Sequence, residues 1–154
     1  MAERVVAALI GRNWKIAFAE SCTGGLAVAH LVDVPDASRV LDASVVTYAN
    51  EAKIGYLDVD PDTLACNGAV SEAVAGQMAR GVALRNGAQV GVGISGIAGP
   101  GGGSAEKPVG MVCFGFWVDG SLTVETCRFG ALGRNGVRAA AVEFVYRRLN
   151  ELLG

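Results

Sequence analysis

Short apolar runs of β-forming residues alternate with segments of helical period along this chain, and that alternation restricts it to layered α/β folds. The pattern predicts a helix over Ala2–Arg12, a strand over Lys15–Ala19, a helix from Gly24 to Val32 closed by Asp33 and Pro35, and a second strand over Ala43–Thr47. Asn50–Gly55 reads as a single helical turn, and Asp60–Pro61 as a turn. Ser71–Asn86 is the best-defined helix: Ser71 can cap it, Glu72 suits the positive end of its dipole, and Val74, Met78 and Val82 recur every four residues. Gln89–Ile94 is a strand, Ser95–Pro108 a loop, and the runs Val109–Val118 and Leu122–Arg128 flank Asp119–Gly120, a hairpin signal that makes them antiparallel. A last helix from Asn135 to Leu153 turns Val137, Ala141, Phe144, Val145, Leu149 and Leu152 inward. The expectation is one α/β domain over residues 1–154, a mixed sheet with helices on both faces.

Composition narrows the function classes. With 154 residues and 51% apolar content the chain can bury a core without disulfides or a metal. Its 22 glycines accompany only four prolines and follow no G-X-Y period, so they act as local backbone devices. A net charge of −2 argues against a general nucleic-acid binder; the one concentration of arginines is Arg134, Arg138, Arg147 and Arg148. The apolar run Val5–Ile10 is too short for a signal segment or a membrane span, so no membrane partner and a cytoplasmic location are expected. Cys22, Cys66, Cys113 and Cys127 form no CxxC pair and there is a single histidine, so no metal site is expected.

Three stretches can carry chemistry. Glu20-Ser21-Cys22-Thr23-Gly24-Gly25 sets a hydroxyl and a thiol between a strand and a helix, where free N–H groups and the helix dipole favour an anion or a developing oxyanion. Ser21 is there either an N-cap or a nucleophile. Cys22 lacks a partner, since His30 lies about two helical turns further on; the thiol reads as a buried side chain and His30 as a packing or surface residue. A serine without histidine needs another proton acceptor, and a lysine of depressed pKa serves. Lys53, one of three lysines, stands beyond the second strand in Thr47-Tyr48-Ala49-Asn50-Glu51-Ala52-Lys53, and is either that base or a solvated surface charge. Gly91, Gly93 and Gly96 match G-x-G-x-x-G, but a loop rather than a helix follows, and no Gly-Lys-[Ser/Thr] makes it a P-loop. The loop Ser95–Pro108 is either a flexible connection or a cradle whose N–H groups and hydroxyl meet a phosphate.

Glu20–Gly25, Tyr48–Lys53, Gly68-Ala69-Val70-Ser71 and Gly96-Ile97-Ala98-Gly99-Pro100-Gly101-Gly102-Gly103 with Lys107-Pro108 together resemble the CinA C-terminal domain family, over nearly the whole chain. The resemblance implies a three-layer α/β/α sandwich with a mixed, mostly parallel sheet, here without the molybdopterin-binding-like domain that precedes it elsewhere. It implies a nicotinamide-nucleotide amidase, hydrolysing nicotinamide mononucleotide to nicotinate mononucleotide and ammonia through a serine–lysine dyad at Ser21 and Lys53, with Tyr48 orienting the pair. On this reading N–H groups around Cys22, Thr23 and Gly24 hold the oxyanion. Asn50, Ser95, Gly99, Gly101, Gly102, Gly103 and Arg134 bind the small-molecule nucleotide, and neither a metal nor an organic cofactor is required. A non-catalytic nucleotide-binding module of the competence and damage-inducible type is the alternative. The chain departs from the family at Ser95, where threonine is usual, and at Gly130-Ala131-Leu132-Gly133-Arg134, where Gly-Asp-Arg is usual. The amphipathic last helix leaves a homo-oligomer open.

Overall fold

A computed structural model describes residues 1–154. Its elements are α1 (Ala2–Arg12), β1 (Ile16–Glu20), α2 (Leu26–Val32), a 3-10 turn (Ala37–Arg39), β2 (Val45–Val46), α3 (Asn50–Leu57), α4 (Pro61–Asn67), α5 (Glu72–Arg85), β3 (Val90–Gly96), β4 (Met111–Val118), β5 (Ser121–Arg128) and α6 (Arg134–Leu153). The sheet order is β2-β1-β3-β4-β5. β1 pairs in parallel with β2 and β3, and β4 runs antiparallel to both its neighbours, so only β4 points the other way.

Side-chain alternation divides the sheet into unlike faces. Ile16 and Phe18 of β1, Val90, Val92 and Ile94 of β3, and Val112, Phe114 and Phe116 of β4 join a core of 24 buried residues with α1, α2 and α6. Between them, Ala17, Ala19, Gly91, Gly93, Cys113 and Gly115 face the layer of α3, α4 and α5. These small residues let α5 lie almost on the strands: a Cβ on Gly91 would collide with the Ala79 carbonyl, and one on Gly93 or Gly115 with that of Ala75. The Gly91-x-Gly93 stretch is therefore a packing device, and no dinucleotide cradle.

Several expected boundaries shift. Asp60–Pro61 opens a helix rather than making only a turn, because the Asp60 carboxylate accepts from the Asp62 and Thr63 N–H groups and proline fits the first helical position. α3 continues to Leu57. Gly24 and Gly25, at φ +59° and +101°, stay outside α2, which starts at Leu26. β3 continues through Gly96, so Ser95 lies in the sheet opposite Cys113. In the final turn of α6 Leu153 is the buried residue, and Leu152 only packs against the core edge. β1, β2 and β3 all end at one edge, where open α/β sheets place their ligands; Ser21, Thr47 and Ile97 are the first residues past them.

Candidate active site

Ser21 leaves β1 with its N–H on the Ile94 carbonyl of the adjacent strand, which fixes its backbone at the sheet edge. Across from it, Lys53 reaches back from α3, and its Nζ stands 3.2 Å from Ser21 Oγ, 2.6 Å from the Thr47 carbonyl and 3.3 Å from the Tyr48 carbonyl. The sheet and the α3 helix bury the lysine, which is 1% exposed and forms no ion pair. Burial penalises the ammonium, so its pKa lies below the usual 10.5. A neutral amine has two N–H donors and one lone pair. Protonated, Nζ donates to all three oxygens; once neutral, it donates to the two carbonyls and turns its lone pair to the Ser21 hydroxyl.

The turn that follows is fixed from both polarities. The fully buried Glu20 carboxylate accepts from the N–H groups of Gly25, Ala27 and Val28, taking up the start of α2. Glu20, and not Ser21, therefore serves as the cap. From the other side, Arg138 of α6 donates through Nε to the Cys22 carbonyl at 3.0 Å and through Nη2 to the Thr23 carbonyl at 3.1 Å. The Gly24 N–H closes the turn on the Ser21 carbonyl. Among the N–H groups of Ser21 to Gly25, only those of Cys22 and Thr23 make no hydrogen bond, so of the three expected oxyanion donors Gly24 is already occupied. The Cys22 thiol is pushed up to about 11, chiefly by burial and further by Glu20, against its own N–H and the nearby Arg138 and Lys53. It stays protonated at neutral pH and is a poor nucleophile. His30 packs edge-on against the Tyr146 ring, away from the dyad.

The remaining expected residues form a rim. The Tyr48 ring is exposed, and its hydroxyl accepts from Arg134 Nη2 at 3.0 Å; it meets Lys53 through its carbonyl, not its phenol. Arg134 also donates to the Gly99 carbonyl at 2.8 Å, tying the glycine loop to the start of α6. Ser95 is buried, Gly99 is buried, and Gly101, Gly102 and Gly103 are exposed. Asn50 is exposed at the start of α3 and its side chain makes no hydrogen bond within the protein. The hydroxyls of Thr23 and Thr47 are the two buried side-chain oxygens without a partner, and both belong to segments that build the site.

Sequence reasoning passed over two residues. Glu20 was readable as an acidic side chain just before a helix start; nothing in the spacing pointed Arg138 at a turn more than a hundred residues away.

The fold and site define a class: an α/β/α domain with a serine–lysine pair at the carboxyl edge of its parallel strands. The chain belongs to the CinA C-terminal domain family, which it matches over residues 1–153. It is 48% identical to a CinA-like protein of Chlorobaculum tepidum over 97% of this chain and 37% of that protein. It is 52% identical to a CinA-like protein of Desulforapulum autotrophicum over 84% of this chain and 30% of that one. The chain thus spans about a third of the length of these relatives. Among solved structures, a CinA superfamily protein of Klebsiella pneumoniae superposes with a TM-score of 0.93 at 40% identity, covering 99% of this chain and 94% of that one. The competence/damage-inducible protein CihA of Agrobacterium tumefaciens gives 0.92 at 40% identity, covering 97% and 93%. No helix is long and apolar enough to cross a membrane.

Proposed function

We propose that this domain is an amidase acting on the carboxamide of nicotinamide mononucleotide, with Ser21 as nucleophile and Lys53 as general base. The observation that carries it is the buried, unpaired Lys53 amine 3.2 Å from the Ser21 hydroxyl, with its other two hydrogen-bond positions filled by carbonyls. Ser21 Oγ attacks the carboxamide carbon while its proton passes to Lys53 Nζ. The Cys22 and Thr23 N–H groups receive the oxyanion, and their fixed geometry spares the reorganisation that water would need. Lys53 then gives its proton to the departing ammonia, and later takes one from the water that cleaves the acyl-enzyme. The exposed rim of Tyr48, Arg134 and the Gly99–Gly103 loop holds the ribose phosphate, since glycine N–H groups and a guanidinium suit an anion. Cysteine catalysis is disfavoured by the raised pKa of Cys22.

Ammonia release from nicotinamide mononucleotide by the wild type, Ser21→Ala and Lys53→Ala tests this reading. Turnover that falls by about 10³ or more in both variants is the expected result, the scale seen when a covalent catalytic unit is broken. A folded wild type that binds the nucleotide and releases no ammonia would overturn it in favour of a binding module.

A further inference from the structure

We infer that Arg138 is a positioning residue that holds and polarises the oxyanion-binding turn. The inference rests on the Ser21–Lys53 reading above and goes beyond it in naming what keeps the two free N–H groups aimed. Each of those N–H groups shares a peptide with a carbonyl. That of Cys22 shares one with the Ser21 carbonyl, which accepts from the Gly24 N–H. That of Thr23 shares one with the Cys22 carbonyl, which accepts from the Arg138 guanidinium. A cationic donor on a carbonyl draws electron density away from the amide nitrogen, and makes the N–H of that peptide a stronger donor. Thr23 N–H is therefore the better oxyanion donor of the two.

Two features fit a guanidinium. Its planar fork spans two successive carbonyls, Cys22 and Thr23, which an ammonium cannot do with the same geometry. Its third contact is the neutral Asn135 Oδ1, and no carboxylate pairs with it, so its charge is spent on the turn. Glu20 fixes the helix-side N–H groups of the same turn, so an anion and a cation hold it from opposite ends.

The test reads Ser21 chemistry without depending on the substrate assigned. A small alkyl fluorophosphonate phosphonylates Ser21: the Oγ–P bond forms, the P–F bond breaks, fluoride leaves, the hydroxyl proton goes to Lys53, and the phosphonyl oxygen occupies the oxyanion position. The labelling rate at Ser21, followed by intact mass, is compared for wild type, Arg138→Ala, Arg138→Lys and, as a control on the same helix, Arg147→Ala. Arg147 lies over the Phe144 ring and touches nothing in the turn. Arg138→Ala is expected to slow labelling by about 10²-fold, the scale of losing one oxyanion donor, and to lower kcat for the amide with KM within about twofold. Arg138→Lys regains part of the rate, because it restores the charge and one carbonyl contact. Should Arg138→Ala fail to fold, Arg138→Gln, which keeps a donor for one carbonyl without the charge, is expected to slow labelling in the same sense. Wild-type labelling rates in folded Arg138→Ala, or a loss that falls on KM alone, would overturn the inference and leave the dyad intact. A folded wild type that neither labels at Ser21 nor releases ammonia would overturn the dyad and the inference with it.

Discussion

The turn Ser21–Gly25 and the loop Ile97–Gly110 both follow parallel strands at the same sheet edge, yet they are built in opposite ways. In the turn, Cys22 and Thr23 are buried, Glu20 and Arg138 satisfy its backbone, and two N–H groups are left over. In the loop, residues Gly101 to Glu106 are exposed; hydrogen bonds hold it at Ile97, Gly99, Gly110 and the Ser104–Lys107 turn, with Lys107 on the Asn67 carbonyl, and leave Gly101 to Gly103 unheld. A segment fixed from both sides can hold a transition-state geometry to a fraction of an ångström; one with an unheld stretch such as Gly101–Gly103 can adapt to a ligand. The turn should therefore govern chemical rate, and the loop affinity.

The largest effect after loss of the dyad itself concerns pH. Burial lowers the Lys53 pKa, so kcat/KM should rise with pH as the free enzyme loses that proton, and level off below 10.5, the value of an ordinary lysine. Stability should move in the same direction. Below the folded-state pKa both the folded and unfolded chains carry the ammonium, and the folded one bears the cost of burying it. Between that pKa and 10.5 the unfolded chain binds more protons, so unfolding becomes harder as pH rises. Lys53→Met should thus be inactive and, at neutral pH, more resistant to urea than the wild type, an advantage that shrinks as pH climbs towards 10.5. A pH–rate profile with no ascending limb anywhere below 10.5, or a Lys53→Met chain less stable at every pH, would remove the neutral-amine base from the turn's side of the comparison.

Arg134 tests the loop's side. It bridges the Gly99 carbonyl and the Tyr48 hydroxyl at the rim, and it is exposed. Arg134→Ala should raise KM for the nucleotide by about tenfold, the worth of one exposed charge-assisted contact, with kcat within about threefold. Steady-state kinetics of both constants decides it. A kcat loss as deep as that of Arg138→Ala would mean that rim and turn act as one unit.

What the sequence disclosed follows the same division. The alternation of strands and helices was legible because each element has a face of its own: Phe18 and Ile94 inward, the Ser71 cap, the Asp119–Gly120 hairpin. The pairing of Ser21 with Lys53 was legible only in part: a serine without a histidine limits the choice of base, but the residues alone left Ser21 readable as a cap and Lys53 as a surface charge, and the family resemblance joined them. The wiring of the turn was not. The Glu20 cap skips over Ser21 to N–H groups five to eight residues on, and Arg138 arrives from the other end of the chain. The Arg138 contacts carry no period and no local spacing, because only the packing of α2 against α6 creates them. Asp60–Pro61 shows the milder failure: the dipeptide suits a turn and a helix start equally, and the run Thr63–Asn67 that tips the balance has no clear apolar stripe.

The smallest expected effects lie inside the loop, where two neighbouring glycines differ. A Cβ on Gly101 meets nothing within 4 Å, and its φ is not in the left-handed region. A Cβ on Gly103 would stand 2.8 Å from the Val109 N and 2.9 Å from the Val109 Cγ2, at the point where the loop turns back towards β4. Gly101→Ala should leave stability within about 0.5 kcal/mol of the wild type, as exposed substitutions without contacts do. Gly103→Ala must displace backbone, and should cost about 1 kcal/mol, which for a chain of this size lowers Tm by about 3 °C. Thermal unfolding of the two variants side by side reads the difference. If Gly101→Ala were the more damaging, the loop's open stretch would be held by contacts of its own, and the contrast with the turn would be one of degree rather than of kind.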